Sequence, residues 1–154
     1  MITSFIISLV VIVVDQITKH FIYELPAFSV VGDLLWFESS LNTGVAFSMF
    51  EGKSYLFAIL AFVAAGVMIW LIASKKFFKP KFQKITLGLI LGGTIANAID
   101  RIVFKGVRDF IYLKFINFAI FNVADMAITI GAVLLCVSIV VSMFKKEDTK
   151  KEEK

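Results

Sequence analysis

Four long apolar runs alternate with more polar segments along this chain. The runs cover about residues 3–25, 54–74, 85–104 and 121–144. Each is long enough for a helix of ~20 residues, the length that crosses a bilayer. The pattern therefore predicts an α-helical membrane protein with four transmembrane helices.

The segments that follow the first and third runs have patterns of their own. Residues 26–52 contain short apolar stretches separated by one proline and three glycines, which predicts a small β-sheet outside the bilayer. Residues 105–119 interleave charged and apolar side chains, which suits an amphipathic segment lying along the membrane interface. We expect both segments on the extracytoplasmic side.

Charge placement sets the expected orientation. Residues 75–84 contain five lysines between two runs, and a short basic loop of this kind marks the cytoplasmic side. Four spans put both termini on that side, together with a charged tail at residues 145–154 that we expect to be disordered. The net charge of +4 fits this topology better than nucleic-acid binding.

Composition agrees with a single membrane-embedded domain. The chain has 154 residues, of which 59% are hydrophobic. Soluble domains have about 45–50% apolar residues. A single cysteine and a single histidine exclude an internal disulfide and a Cys/His zinc site. We expect the cysteine, Cys136, to be a small apolar residue inside the bundle.

Small residues recur four positions apart in the third run. Gly88, Gly92 and Ala96 share one helix face, and a face without bulky side chains lets another helix approach closely. We therefore predict a close helix contact at this face.

Charged and amide side chains interrupt the apolar sequence between residues 92 and 125. Charge within membrane sequence is costly and is usually functional. In the first run Asp15 and Lys19 stand four residues apart on one helix face and can pair. The interrupting side chains of residues 92–125 include three acids, two asparagines and two arginines that are candidates for a site: Asp100, Asp109, Asp125, Asn97, Asn122, Arg101 and Arg108.

Helix depth brings these polar groups to one level. At ~1.5 Å per residue, those in the spans lie roughly 18–28 Å above the cytoplasmic ends, in the outer part of the bilayer. A carrier or a proton pathway would instead need polar groups at the midplane. The pattern favours a one-sided site that acts on a molecule held in the outer leaflet.

Several catalytic chemistries fit the sequence poorly. His20 is the single histidine and the chain has no Gly-x-Ser-x-Gly turn, which disfavours a serine–histidine site. A serine–lysine dyad would combine Lys19 with Ser39, Ser40 or Ser48, but no serine stands at helical spacing from that lysine. A zinc site would need an unusual ligand set made only of carboxylates.

Two carboxylates remain the best candidates for catalysis. Neighbouring carboxyl groups cannot both ionise, so one keeps a proton while the other acts as a base toward water. Asp109 and Asp125 fit this arrangement best, because the segment before the fourth helix can fold over the start of that helix. Asp100, directly beside Arg101, looks more like a structural ion pair. Three separately paired acids in a non-catalytic membrane protein that binds a lipid or a peptide remain the alternative.

The chain resembles the lipoprotein signal peptidase family, also called signal peptidase II. Five motifs occur in the family's order, and the resemblance covers the chain except for the tail at residues 145–154. These motifs are Asp15-Gln-Ile-Thr-Lys19, Asn42-Thr-Gly-Val-Ala-Phe47, Gly92-Gly-Thr-Ile-Ala-Asn-Ala-Ile-Asp-Arg101, Val107-Arg-Asp-Phe110 and Phe121-Asn-Val-Ala-Asp125. One departure is visible, because Ala96 stands where the family usually has glycine.

The resemblance implies an aspartyl protease of the bacterial cytoplasmic membrane, without a metal or another cofactor. It implies Asp109 and Asp125 as the catalytic pair and a β-cradle near residues 28–50. The implied substrates are prolipoproteins, cut on the amino side of a diacylglyceryl-modified cysteine, and the cyclic peptide globomycin is the implied inhibitor. We expect the protein to act as a monomer in contact with membrane lipid. The residues that match positions lining or bracing the family's site are Asp15, Lys19, Asn42, Gly44, Asn97, Asp100, Arg101, Asn122 and Ala124.

Overall fold

A computed structural model describes residues 1–44, 52–74 and 81–152. Its helices are α1 (Ile2–Ile22), α2 (Ser54–Ala73), α3 (Lys81–Val103) and α4 (Val123–Glu152). Each of the four contains a stretch that is long and apolar enough to cross a membrane. The predicted four-helix membrane architecture is confirmed.

The third helix is the centre of the bundle. Helices α1, α2 and α4 each pack against α3. In the most apolar stretch of α3, 56% of the residues are buried. The corresponding value is 17% in α1, 17% in α2 and 11% in α4. The three outer helices therefore turn large apolar side chains outward, as expected where lipid takes the place of water.

The predicted close helix contact lies between α3 and α1. A Cβ atom at Gly88 would lie 2.5 Å from the carbonyl oxygen of Ser4, and one at Gly92 would lie 2.7 Å from that of Ser8. The two backbones approach so closely because glycine has no side chain. Ala96 follows one turn later and is fully buried.

A three-stranded antiparallel sheet covers one end of the bundle. It consists of β1 (Phe28–Val31), β2 (Leu35–Asn42) and β3 (Val107–Leu113), in that spatial order. The register of β2 and β3 pairs Ser40 with Asp109 and Asn42 with Val107. The predicted small sheet is thus confirmed, and β3 brings one candidate acid to it.

The outer segment after α3 is a strand followed by a short helical turn. The sequence predicts an amphipathic segment over residues 105–119 without specifying its secondary structure, and within it residues 107–113 form β3 and residues 114–116 form a helical turn. The reason is the local composition, since Val, Phe, Ile and Tyr predominate from 107 to 112 and these types favour strands.

The ends of the helices also differ from the expected boundaries. Helix α1 ends at Ile22, before Pro26. Helix α3 begins at Lys81, earlier than the predicted start at residue 85, because no proline or glycine lies between Pro80 and that position. The expected disorder of the tail is wrong for residues 145–152, which continue α4. Cys136 is exposed rather than inside the bundle. Parts of three predicted segments lie outside the described residues. These are residues 45–51 of the β-rich segment, 75–80 of the basic loop and 153–154 of the tail.

The glycine contact predicts a loss of stability on substitution. A methyl group at Gly92 would meet Ser8 and the side chain of Val11, and overpacking of this kind costs about 1–3 kcal/mol. Gly92→Ala should therefore lower the thermal unfolding midpoint of the purified protein in detergent. Gly66 is the matched control, because a Cβ atom there meets nothing within 4 Å. An equal loss in Gly66→Ala would contradict the packing explanation.

Candidate active site

Asn122 and Asp125 cap the first turn of α4. The Asn122 Oδ1 atom accepts a hydrogen bond from the Asp125 backbone N–H at 2.9 Å, and Asp125 Oδ2 accepts one from the Asn122 N–H at 3.3 Å. This reciprocal pattern is a capping box, with the acid at the third helical position. The Asp125 carboxyl group therefore sits at the positive end of the helix dipole.

The first helix contributes to the same cap. Asp15 Oδ1 accepts a hydrogen bond of 2.8 Å from the backbone N–H of Ala124. Ala124 is fully buried, and a Cβ atom on Gly93 of α3 would clash with its carbonyl oxygen. A larger side chain at residue 124 would have little room, so the helix start is held tightly between α1 and α3.

Asp109 approaches this helix start from β3. Ile111 of β3 and Phe121 exchange backbone hydrogen bonds of 2.8 and 3.0 Å, which draw the chain before α4 against the strand. As a result, Asn122 Nδ2 donates a hydrogen bond of 2.6 Å to Asp109 Oδ1. A second amide, Asn42 Nδ2 of β2, lies 3.3 Å from Asp109 Oδ2.

The pKa of the Asp109 side chain is raised to about 7. Burial is the main cause, because it disfavours the charged form, and the negative charge of Asp125 adds to it. The hydrogen bonds from Asn122 and Asn42 act in the opposite direction. Asp109 can therefore hold a proton near neutral pH.

Two asparagine amides connect the carboxyl groups. Asn97 Nδ2 donates a hydrogen bond of 2.8 Å to Asp125 Oδ1, and Asn97 Oδ1 accepts one of 3.1 Å from Asn122 Nδ2. Since Asn122 also donates to Asp109, an unbroken chain of side-chain hydrogen bonds runs from one acid to the other.

Both acids border one cavity of about 340 Å³. Its wall combines polar side chains with the apolar loop that precedes α4. The lining includes Asn42, Asn97, Arg101, Asp109, Asp125 and the residues from Phe118 to Phe121. The cavity offers two carboxyl groups and several amides to a bound molecule, with apolar surface beside them.

A buried cluster of opposite charges lies next to the cavity. Lys19 Nζ is 2.7 Å from Asp15 Oδ2 and 3.2 Å from Asp100 Oδ2, and all three side chains are fully buried. Arg108 completes the cluster, with its side chain 2.9 Å and its backbone N–H 2.9 Å from the Asp100 carboxylate. The predicted pairing of Asp15 with Lys19 is therefore confirmed, and the cluster balances two acids with two bases.

The expected ion pair between Asp100 and Arg101 is wrong. Side chains of adjacent helical residues point in different directions, so they do not face each other. Asp100 pairs instead with Arg108 and Lys19. Arg101 lines the cavity, and its hydrogen bonds to described residues are long, 3.4 Å to the Asn97 carbonyl and 3.5 Å to that of Gly44. No described group accepts a hydrogen bond from its Nε atom.

Sequence reasoning gave no role to two residues of this network. Gln16 Nε2 donates to Asp100 Oδ1 at 3.0 Å, and Gln16 Oε1 accepts from Arg108 at 3.1 Å. Nothing in the local sequence indicates a contact for Gln16. Arg108 was predicted only to lie in the same outer segment as Asp109. Because successive side chains of a strand alternate, Arg108 and Asp109 of β3 point to opposite faces of the sheet.

The remaining predicted site residues also lie around the cavity. Asn42 borders it, and the Oδ1 atom of the same side chain accepts a hydrogen bond of 3.1 Å from the Gly44 N–H. The other part of that motif, residues 45–47, lies outside the described residues. Within the described chain, no group of three or more His, Cys, Asp or Glu side chains could hold a metal ion.

Comparison with known proteins decides the family. A family model described as signal peptidase II matches residues 7–141. The chain belongs to the signal peptidase II family. The lipoprotein signal peptidase of Shouchella clausii is 37% identical over 142 residues, which cover 90% of this chain and 93% of that protein. The lipoprotein signal peptidase of Listeria welshimeri is 35% identical over 153 residues, covering 95% and 98%.

Solved structures agree with this assignment. One bacterial membrane enzyme has a TM-score of 0.82 and 30% sequence identity, with 99% of this chain and 93% of that chain covered. A second bacterial membrane enzyme has a TM-score of 0.77 and 29% identity, with 89% and 92% covered. The predicted resemblance to signal peptidase II is confirmed, and the fold is shared along nearly the whole chain.

The raised pKa of Asp109 predicts how stability depends on pH. A carboxyl group with a pKa of 3.8 in the unfolded chain and about 7 in the folded protein binds more protons when folded. Stability should therefore be full below pH 4 and fall as the pH rises toward 7, by at most about 4 kcal/mol. The thermal midpoint of Asp109→Asn should decline less between pH 5 and pH 8 than that of the wild type. Asp33→Asn, a change in an exposed carboxylate, should keep the wild-type slope; equal slopes in all three proteins would contradict the assignment.

Proposed function

We propose that this protein is an aspartyl endopeptidase that removes signal peptides from prolipoproteins, with Asp109 and Asp125 as its catalytic pair. One observation carries the proposal. Both carboxyl groups border one cavity, each receives hydrogen bonds from amide groups, and neither forms an ion pair with a described residue. Acids left without a cation can exchange protons with a substrate.

The two acids differ in a way that suits general acid–base chemistry. Asp109, with its pKa raised to about 7, holds the proton at rest. Asp125 lies at the positive end of α4 and accepts a short hydrogen bond from Asn97, so it is the base. This division matches the pattern of two neighbouring carboxyl groups that share one proton.

Hydrolysis then proceeds with water as the nucleophile. Asp125 takes a proton from the water as its oxygen bonds to the peptide carbonyl carbon, and Asp109 donates its proton to the carbonyl oxygen. In the second step Asp125 returns a proton to the leaving nitrogen while the C–N bond breaks. Asp109 recovers its proton from the hydroxyl group as the new carboxyl product forms.

The substrate is a prolipoprotein whose cysteine carries diacylglycerol, cut on the amino side of that cysteine. An apolar groove of about 350 Å³, bordered by Phe118, Phe121 and Met126, adjoins Asp125 and suits a lipid-bearing peptide. An anchor in the same membrane as the enzyme supplies much of the orientation that catalysis needs. The cyclic peptide globomycin is the expected inhibitor, and the enzyme acts as a monomer.

In the proposed membrane orientation, both termini lie in the cytoplasm and the active site lies near the outer face. The basic sequence of residues 75–84 supports this orientation. The sheet, the start of α4 and the ends of α1 and α3 meet at one end of the bundle, opposite Met1. A site at that end meets substrates that have already been lipidated in the outer leaflet.

Replacing either acid should abolish cleavage without unfolding the protein. The test is turnover of a diacylglyceryl-modified lipobox peptide by purified enzyme, with Asp109→Asn and Asp125→Asn. Each variant should lose at least about 100-fold in kcat, as expected for loss of an acid–base group. Asp33→Asn, on the exposed surface, should keep wild-type turnover. Near-normal turnover by either active-site variant would exclude the proposed pair.

Arg101 should bind the substrate backbone through its guanidinium group. It lines the cavity, and its Nε–H has no acceptor in the described part of the chain. Arg101→Lys keeps the charge and loses the planar set of donors. We expect KM for the lipobox peptide to rise by about 10-fold, the effect of one hydrogen bond to a charged donor, while the thermal midpoint is unchanged. Wild-type KM in this variant would show that the guanidinium donors are not used.

A further inference from the structure

The catalytic steps above give no role to Lys19, although this side chain is fully buried beside the active site. Its ammonium group lies near three acceptors: Asp15 Oδ2 at 2.7 Å, Asp100 Oδ2 at 3.2 Å and Asn97 Oδ1 at 3.1 Å. An ammonium group has three N–H donors and no acceptor. All three donors are used, and whatever faces them must accept a hydrogen bond.

This requirement determines the orientation of the Asn97 amide. With its oxygen toward Lys19, the amide NH₂ group faces Asp125 Oδ1 at 2.8 Å. The opposite orientation would point the NH₂ group at an ammonium and the amide oxygen at a carboxylate, two repulsive contacts in a buried place. The 3.1 Å hydrogen bond from Asn122 to Asn97 Oδ1 favours the same orientation.

We propose that Lys19 is a positioning residue of the proteolytic site, whose buried ammonium group holds Asn97 so that the amide donates a hydrogen bond to Asp125. The proposal rests on the proposed function, in which Asp125 is the base. It connects α1 to the catalytic acid of α4 through one side chain of α3.

Lys19 could instead serve only to neutralise the buried charges of Asp15 and Asp100, and this role can be separated from the positioning of Asn97. Asp100 is also held by Arg108, and Asp15 is held by the Ala124 N–H, so neither acid depends on Lys19 alone. The charged groups around Lys19 are Asp15 on α1, Asp100 on α3, Arg108 and Asp109 on β3, and Asp125 on α4. A test must therefore remove the Lys19 donors without leaving an unbalanced acid.

The double variant Asp15→Asn/Lys19→Met meets this condition. It removes one charge of each sign, and the amide introduced at position 15 keeps an oxygen for the Ala124 N–H. We expect kcat for the lipobox peptide to fall about 10- to 100-fold, the effect of losing a hydrogen bond to a charged group, with KM nearly unchanged. The acidic limb of the pH–rate profile should move to higher pH, because the ionised base loses a donor. Wild-type kcat with an unmoved acidic limb would overturn the proposal.

Non-additivity tests whether Lys19 acts through Asn97. Asn97→Ala alone should reduce kcat, and adding Asp15→Asn/Lys19→Met should reduce it little further, since the connection is already lost. If the combined variant lost kcat by the product of the two separate reductions, the proposal would be overturned. If the Asp109 and Asp125 variants are active, the proposed function itself has failed; if they are inactive while the Lys19 set is fully active, only the positioning role has failed.

A second variant covers the possibility of misfolding. Asp15→Asn/Lys19→Gln replaces the ammonium with a neutral side chain that can still donate a hydrogen bond. It should keep several-fold more kcat than the Met variant, at a similar thermal midpoint. Equal losses in the two folded variants would overturn the proposal. Failure of both to fold would also overturn it, because the lysine would then be required for the fold and not for the position of Asn97.

Discussion

The start of α4 must satisfy its backbone N–H groups without bulk water. The first turn of any helix leaves donors without partners inside the helix, and within a membrane such donors must find acceptors in the protein. Asn122, Asp125 and Asp15 supply these acceptors here. The groups that complete the helix are thus the groups that build the site. Removing an acceptor would disturb the fold and the candidate catalytic geometry together.

Charge balance then separates the acids into two classes. Burial of a charge is tolerated when a partner and hydrogen bonds compensate for it. Two acids and two bases balance each other in one buried cluster beside the cavity: Asp15, Asp100, Lys19 and Arg108. Asp109 and Asp125 have amide partners instead, which stabilise a carboxylate less than a cation does. They are therefore the acids whose protonation can change during a reaction.

Sequence patterns predicted the parts of this arrangement that depend on local periodicity. Apolar runs predicted the four helices, and the four-residue spacing of Asp15 and Lys19 predicted their pairing. Patterns failed where a contact depends on distant segments. Adjacency suggested Arg101 as the partner of Asp100, but the strand geometry of β3 delivers Arg108 to that acid. The strand partner of residues 107–113 could not be predicted either, because β2 lies more than 60 residues earlier in the sequence.

The position of the site depends in turn on how closely α3 meets its neighbours. Gly92 brings α1 near enough for Lys19 to reach Asn97, and Gly93 admits the backbone of Ala124 on the other side. Ala96 fits between these contacts as a fully buried residue whose carbonyl oxygen lies 3.4 Å from Gln16 Nε2. The methyl group of Ala96 is therefore enclosed where the first helix meets the third. Small side chains along α3 set how closely α1 and the start of α4 approach it, and Asn97 of the same helix contacts Lys19 and Asp125, so one helix contributes to both the packing and the chemistry of the site.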